Sequence, residues 1–250
     1  MSVKHSMSDY WQASRHPLYG VLSVLPIILF YELIALTLNQ SSQIGIRNAA
    51  DVFLKNIVFR QILALVGIHG IFAWGLVITL ILGFLFWKKY QSQHLEFHTV
   101  YFVIMFIESL VYAVLLGPVI GYMLNFMQNY IALAASIYDF SFAYKVMLSL
   151  GAGFYEELVF RVIILSGSVL TLTHALNLKK TTAFFIAAIF SSLLFSGFHY
   201  IGPFGEPFQF YSFAFRFFAG IIFALLYIGR GFGIAVYTHT LYDLLIILHQ

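Results

Sequence analysis

Apolar residues dominate, without strand-like alternation, through Leu18 to Leu38, Ile62 to Trp87, Val100 to Met123, Val146 to Ser166, Ala183 to His199, Ser212 to Ile228 and Phe232 to Leu248. Crossing a bilayer as a helix takes about 20 residues. Backbone in lipid must satisfy its own N–H and C=O groups, so runs of this kind read as helices. The pattern predicts an all-α polytopic bundle of seven to eight spans. Seven are the runs above. Two shorter pieces compete for the eighth: Asn48 to Arg60, whose charges fall among apolar residues as on an interfacial helix, and Ile131 to Ile137, too short to cross alone. Pro118 is expected to kink the third run. With no internal repeat, low-complexity tract or linker, residues 1–250 read as a single integral membrane domain.

Composition agrees. Hydrophobic residues make up 61% of the 250 and charged residues 9%, against about a quarter charged in soluble domains, so no soluble domain fits beside the spans. The polar start MSVKHSMSDYWQASRHP runs straight into a span too long for a signal-peptide core, and the first span is expected to stay in the protein. Zero cysteines exclude disulfides, thiolate metal sites and a cysteine nucleophile. The net charge of +3 is scattered one or two bases per loop and forms no nucleic-acid patch. Its meaning is topological. A cytoplasmic N-terminus puts Lys4, Arg15, Lys88, Lys89, Lys179, Lys180 and Arg230 inside and leaves Leu124 to Tyr144 outside without a Lys or Arg, while Arg47, Lys55 and Arg60 count the other way.

Ionisable side chains at bilayer depth cost about 2.5 to 3.5 kcal/mol on insertion scales, so they face the bundle interior and serve pairing or function. They are Glu32, His69, Glu108, Glu156, Glu157, Arg161, His199, Arg216, His239 and Asp243. In the stretch GFYEELVFRV, Glu157 and Arg161 stand four apart and are expected to pair, acid before base, while Glu156 points about 100° away. Glu156 is then available as a general base for water, or as one side of a merely structural clamp. His199 follows Phe195 by four residues in FSGFHY, a position that also suits a histidine bonded to a carbonyl. His239 and Asp243 share a face in YTHTLYD, the spacing of a metal pair, a carboxylate-oriented histidine, two groups gripping one oxygen, or a ladder between helices.

The order EExxxR (Glu156, Glu157, Arg161), FxxxH (Phe195, His199) and HxxxD (His239, Asp243), each on its own predicted helix, resembles the CPBP family. These are membrane-embedded proteases named for CAAX processing and bacteriocin processing, also known as Abi proteins. The likeness covers Lys145 to the C-terminus and defines a motif-bearing core at about 145–250. It implies a bundle, commonly of eight spans, with an intramembrane polar cavity that hydrolyses a peptide bond of a membrane-associated peptide or protein. By the same resemblance Glu156 and His199 hold and activate the attacking water, His239 and residue 243 stabilise the oxyanion, and Glu157 with Arg161 supports Glu156. Some members carry Asn where Asp243 stands. An ionised Asp243 only accepts hydrogen bonds, so its expected role is to orient His239 by taking its ring N–H, leaving His239 as the sole oxyanion donor. There is no HExxH, and a glutamate-dependent hydrolase without a cofactor is the expectation. The metal alternative is zinc held by Glu156, His199 and His239 with one open position. The small bundle and the missing retention signal resemble bacterial members, which implies a bacterial inner (plasma) membrane; the expected partners are a peptide or protein substrate and the bilayer, with no nucleic acid.

Two rivals belong to other classes. A proton-coupled transporter would use Glu32, Glu108, Glu156 and His239 as a relay, and predicts inverted repeats that the sequence does not show. A non-catalytic immunity or scaffold protein would be expected to have lost a motif. Among the remaining polar groups, Glu32 and Glu108 read as interhelical hydrogen-bonders or partners of Arg161, His69 as structural, Arg216 as a snorkelling side chain without a role, and Ile201 to Ser212 as a connector.

Overall fold

A computed structural model describes residues 7–39, 47–54, 98–124, 141–202 and 205–249, with the isolated positions 83, 84 and 88. Among these residues every regular element is helical: α1 (Met7–Arg15), α2 (Pro17–Leu38), α3 (Ala49–Phe53), α4 (Thr99–Leu124), α5 (Phe142–Gly151), α6 (Ser166–His174), α7 (Lys180–Phe198), α8 (Phe210–Arg230) and α9 (Phe232–Leu248). Between α5 and α6 the helix runs on through two π-wound stretches, Ala152–Glu156 and Leu158–Leu165. The chain is an integral membrane protein by these elements: α2, α4, α7 and α8 are long and apolar enough to cross, and α9 is a shorter apolar helix. Apart from positions 83 and 84, the expected span over 62–87, with His69, lies outside the described residues, as does the segment 131–137. Pro118 sits inside the continuous α4.

The outward faces of α4 and α7 carry Val103, Phe106, Ile107 and Val111, and Phe185, Ile189, Phe190 and Leu193, all exposed, as lipid contact requires. Inward, helices approach through small residues. Gly220 of α8 faces Ser192 of α7 so closely that a Cβ would lie 2.9 Å from the serine Cβ. A Cβ on Gly20 of α2 would lie 3.2 Å from the backbone nitrogen of Gly233 on α9. Helix α9 is enclosed by α2, α4, α5 and α8, and its first half is buried. Gly231, at φ 91°, supplies the left-handed turn between α8 and α9 that L side chains resist. One apolar core, including Tyr31, Ala35, Met147, Phe154, Phe160, Phe195 and Val236, ties α2, α5, the π-wound stretches, α7 and α9 together.

Two ionic clusters, one part-buried around Glu108 and one buried around Glu32, replace simpler expectations. Glu108 of α4 meets Arg230 through Nε at 2.5 Å and Nη2 at 2.8 Å, with Tyr10 and Tyr112 hydroxyls also donating to it. Glu32 takes Arg47 Nη1 at 3.1 Å and the Tyr155 hydroxyl at 2.6 Å. Both glutamates thus bond across helices, as expected, but their cations are Arg230 and Arg47, not Arg161. Burial opposes the charge on Arg47, yet Asp51 and Glu32 outweigh it and hold its pKa above the ordinary arginine value. A base neutralised this way is a poor topological signal, which discounts Arg47 on the outer side and, through its pairing with Glu108, Arg230 on the inner side.

Candidate active site

The π-wound stretches build the floor. A widened turn leaves some backbone carbonyls without their usual α-helical partner, and in hydrocarbon another donor must supply the bond. Ser191 Oγ of α7 donates to Phe160 O at 2.6 Å, and Ser166 Oγ donates to Arg161 O at 3.1 Å. Gly153 lies at the closest approach to α9: a Cβ there would run into the Thr240 side chain and stand 2.9 Å from the Thr240 backbone nitrogen. Gly153→Ala is therefore expected to destabilise. Alanine normally gains up to about 1 kcal/mol over glycine in a helix, but forced overpacking costs about 1–3 kcal/mol. Thermal unfolding in detergent checks the sign; a stabilised Gly153→Ala protein would contradict the close approach.

Glu156, Glu157, Arg161 and His239 are all buried, whereas His199 and Asp243 keep 24% and 27% of their side chains exposed and form a rim. Glu157 and Arg161 pair as the spacing predicts, Oε2 to Nε at 3.1 Å. Glu157 Oε1 also reaches the His239 Nδ1 at 2.9 Å. A carboxylate only accepts, so Nδ1 carries a proton and donates. The histidine ring stacks on Phe223, 4.6 Å between centroids and 21° between planes. The side-chain hydrogen bond of Glu157 thus goes to His239. Asp243 Oδ2 stands 3.8 Å from His239 Nε2, beyond hydrogen-bond range. The expected orienting bond from His239 to Asp243 is thus replaced by one to Glu157, because Nδ1 faces the π-wound helix.

Glu156 turns away from this pair, and its Oε2 lies 3.9 Å from His199 Nε2 and 4.0 Å from His239 Nε2. His199 Nδ1 lies 2.9 Å from the carbonyl of Phe195, which only accepts, so Nδ1–H donates and Nε2 presents a lone pair when the ring is neutral. Phe195 explains its place in the motif in a second way: its ring packs edge-on against His199 at 5.2 Å and His239 at 6.0 Å, and the Arg161 guanidinium lies over it at 4.7 Å. The three helices thus bring the carboxylate and both imidazoles around one gap. Hydrogen bonds of about 2.8 Å to a single water close gaps of this width with an angle near 90° at the water.

Among the described residues no three His, Asp or Glu side chains stand where they could hold a metal ion together. A relay through Glu32 and Glu108 also lacks continuity, since each is bound by its own arginine in a separate cluster.

Two features escaped the sequence. Asn48 Nδ2 donates to Glu156 Oε1 at 2.8 Å, across 108 positions of chain. A polar residue wedged between Arg47 and Asp51 was the only hint, and it read equally as an interfacial helix start. Arg216 does not snorkel: Nη2 grips both oxygens of Glu206 at 2.7 and 2.8 Å, and Nη1 meets the Ser212 hydroxyl at 2.8 Å. Glu206 N–H donates to His199 O at 3.0 Å, so the loop after His199 is pinned beside the site rather than being a bare connector.

Residues 138–245 match the family model described as Type II CAAX prenyl endopeptidase Rce1-like. No curated protein and no solved structure matches the chain.

Proposed function

We propose that this chain, whose residues 138–245 match the Rce1-like type II CAAX prenyl endopeptidase family model, is a member of the CPBP family and an intramembrane peptidase acting through glutamate- and histidine-activated water on a membrane-associated peptide. The observation that carries the reading is the approach of Glu156 Oε2 to the Nε2 atoms of His199 and His239, at 3.9 and 4.0 Å. Water in that gap donates one hydrogen to Glu156 and the other to the His199 lone pair, leaving an oxygen lone pair free to attack a scissile carbonyl. Glu156 takes the proton as the C–O bond forms and returns it to the leaving amine as the C–N bond breaks. His239 donates from Nε2 to the oxyanion. Because Nδ1–H already serves Glu157, that donation requires both ring protons on His239. The buried carboxylate of Glu157 stabilises the resulting imidazolium, as a third group does for a catalytic histidine elsewhere.

Asp243 stands on the rim near the same Nε2. Asp243→Asn places an amide donor beside the forming oxyanion and is expected to keep cleavage within about tenfold, while Asp243→Ala, which removes a carboxylate 3.8 Å from the His239 Nε2 that faces the oxyanion and puts no donor in its place, is expected to lose more. Equal losses would show that the carboxylate charge itself is required. The finer topology in this proposal is seven to eight spans with the N-terminus in the cytoplasm of a bacterial inner membrane, supported by the apolar run 62–87 and by the distribution of Lys and Arg along the sequence.

The test is cleavage of membrane-anchored peptides by the purified protein in detergent, with new termini read by mass spectrometry, run in parallel for wild type, Glu156→Gln and chelator-treated wild type. The reading predicts cleavage by wild type alone among the first two. Proton flux or solute uptake without cleavage would overturn it in favour of a carrier. Loss of cleavage in chelator, restored by zinc, would move the water activation to a metal.

A further inference from the structure

The carboxylate at the centre of the site is gripped from outside the family-matched region. Asn48 Nδ2 donates to Glu156 Oε1 at 2.8 Å, while its Oδ1 accepts from Ala50 N–H at 2.9 Å and caps α3. The second bond fixes the amide's orientation: its oxygen is engaged by a donor, so the atom facing Glu156 is the NH₂. Capping alone would not call for asparagine, since aspartate, serine and threonine cap as well. What asparagine adds is the second, donating arm.

That arm is held rigidly. The Asn48 N–H donates to the Tyr31 hydroxyl at 3.3 Å, which donates to Asp51 Oδ2 at 2.6 Å. Arg47 Nη1 joins Asp51 at 3.0 Å and Glu32 at 3.1 Å. Glu32 in turn accepts from the hydroxyl of Tyr155, the neighbour of Glu156, at 2.6 Å. The network therefore leaves the π-wound stretch at residue 156 and returns to it at residue 155. Gly151 makes room for the approach: a Cβ there would stand 2.5 Å from Tyr31 Cε2 and 2.9 Å from Asn48 Cβ. Asn48, Asp51, Glu32 and Tyr31 are all buried.

We propose that Asn48 is a positioning residue of the site: by engaging Glu156 Oε1 it commits Oε2 to the gap shared with His199 and His239, so that one defined oxygen receives the proton of water. This rests on the peptidase reading. It also gives the N-terminal part of the chain a share in the site, through the buried lattice of Arg47, Glu32, Asp51, Tyr31 and Tyr155 that supports Asn48.

Asn48→Asp separates capping from donation, because the aspartate oxygen still caps α3 while its second oxygen confronts Glu156 with no hydrogen to offer. In the purified full chain, kcat is expected to fall about 10–100-fold, the usual effect of removing a group that orients a reacting side chain, with KM unchanged. A second measurement needs no activity. Asn48→Asp should lower the melting temperature in the wild-type background and lower it less, or not at all, in Glu156→Gln, whose amide can donate to the new carboxylate and rebuild the bond in reverse. Wild-type kcat in Asn48→Asp, or an equal melting loss in both backgrounds, would overturn the proposal. If wild type cleaves nothing, the peptidase reading falls, and the melting comparison alone decides whether Asn48 and Glu156 are coupled.

Discussion

Glu156→Gln should reduce cleavage by about 10²–10⁴-fold, the range associated with a positioned general base, and leave the bundle folded. Glutamine matches glutamate in shape, and its carbonyl can still accept from Asn48, so the bond at 2.8 Å survives. What disappears is the acceptor that faces the gap. The amide that replaces Oε2 donates where a base is needed, and it cannot take a proton from water or hand one to the leaving amine. His199→Gln is expected to fall in the same range, since Nε2 contributes the second acceptor at 3.9 Å from Glu156. If the two act as one unit on one water, the double variant loses little more than the worse single one. Single-turnover cleavage of a membrane-anchored peptide, with melting in detergent to confirm folding, measures both. Full activity in Glu156→Gln, or multiplicative losses in the double variant, would remove Glu156 from the role of base.

Helix periodicity made part of this legible. Glu157 and Arg161 at i and i+4 had to meet, and Glu156 had to point elsewhere; both hold even where the turns widen to π geometry. The order of the three motifs also placed their side chains on three separate helices, and folding brings those helices to one gap. Which carboxylate serves which histidine was not legible, because that depends on how α9 rotates against the π-wound floor, and Gly153 sets that contact through Thr240. Spacing pointed to Asp243 as the orienter of His239, since the two share a face; the longer-range contact to Glu157 displaces it. Asn48 was hidden for a similar reason. Its partner is 108 positions away, and nothing in local pattern distinguishes an interfacial helix start from a buried cap with a free amide. The π turns left no sequence mark either, because their extra carbonyl is satisfied by Ser191 on another helix.

Arg161→Met should carry the largest stability loss, about 3–5 kcal/mol, because removing one partner of a buried pair leaves the Glu157 carboxylate with only its bond from His239. Arg161 and Glu157 are 1% and 0% exposed, so no water is at hand to rescue the carboxylate. The pair is not a well-aligned fork: Nε and Oε2 approach to 3.1 Å, but neither forms a hydrogen bond among the described residues. The guanidinium is seated instead over the rings of Phe195 at 4.7 Å and Phe223 at 5.5 Å. Cation–π attraction of this kind reaches about 2 kcal/mol when desolvated, which makes charge and ring contact, rather than hydrogen-bond geometry, the cause of its stability. Two further variants follow from that. Arg161→Lys keeps the charge but not the flat face, and should lose less than Arg161→Met. Glu157→Gln added to Arg161→Met should recover much of the loss by discharging the orphaned carboxylate, even though cleavage stays low because His239 no longer faces a charged partner. Chemical denaturation in detergent micelles gives all three values. A loss below about 1 kcal/mol for Arg161→Met, the scale of an exposed pair, or no recovery in the double variant, would show that a partner other than Arg161 holds the Glu157 side chain in place.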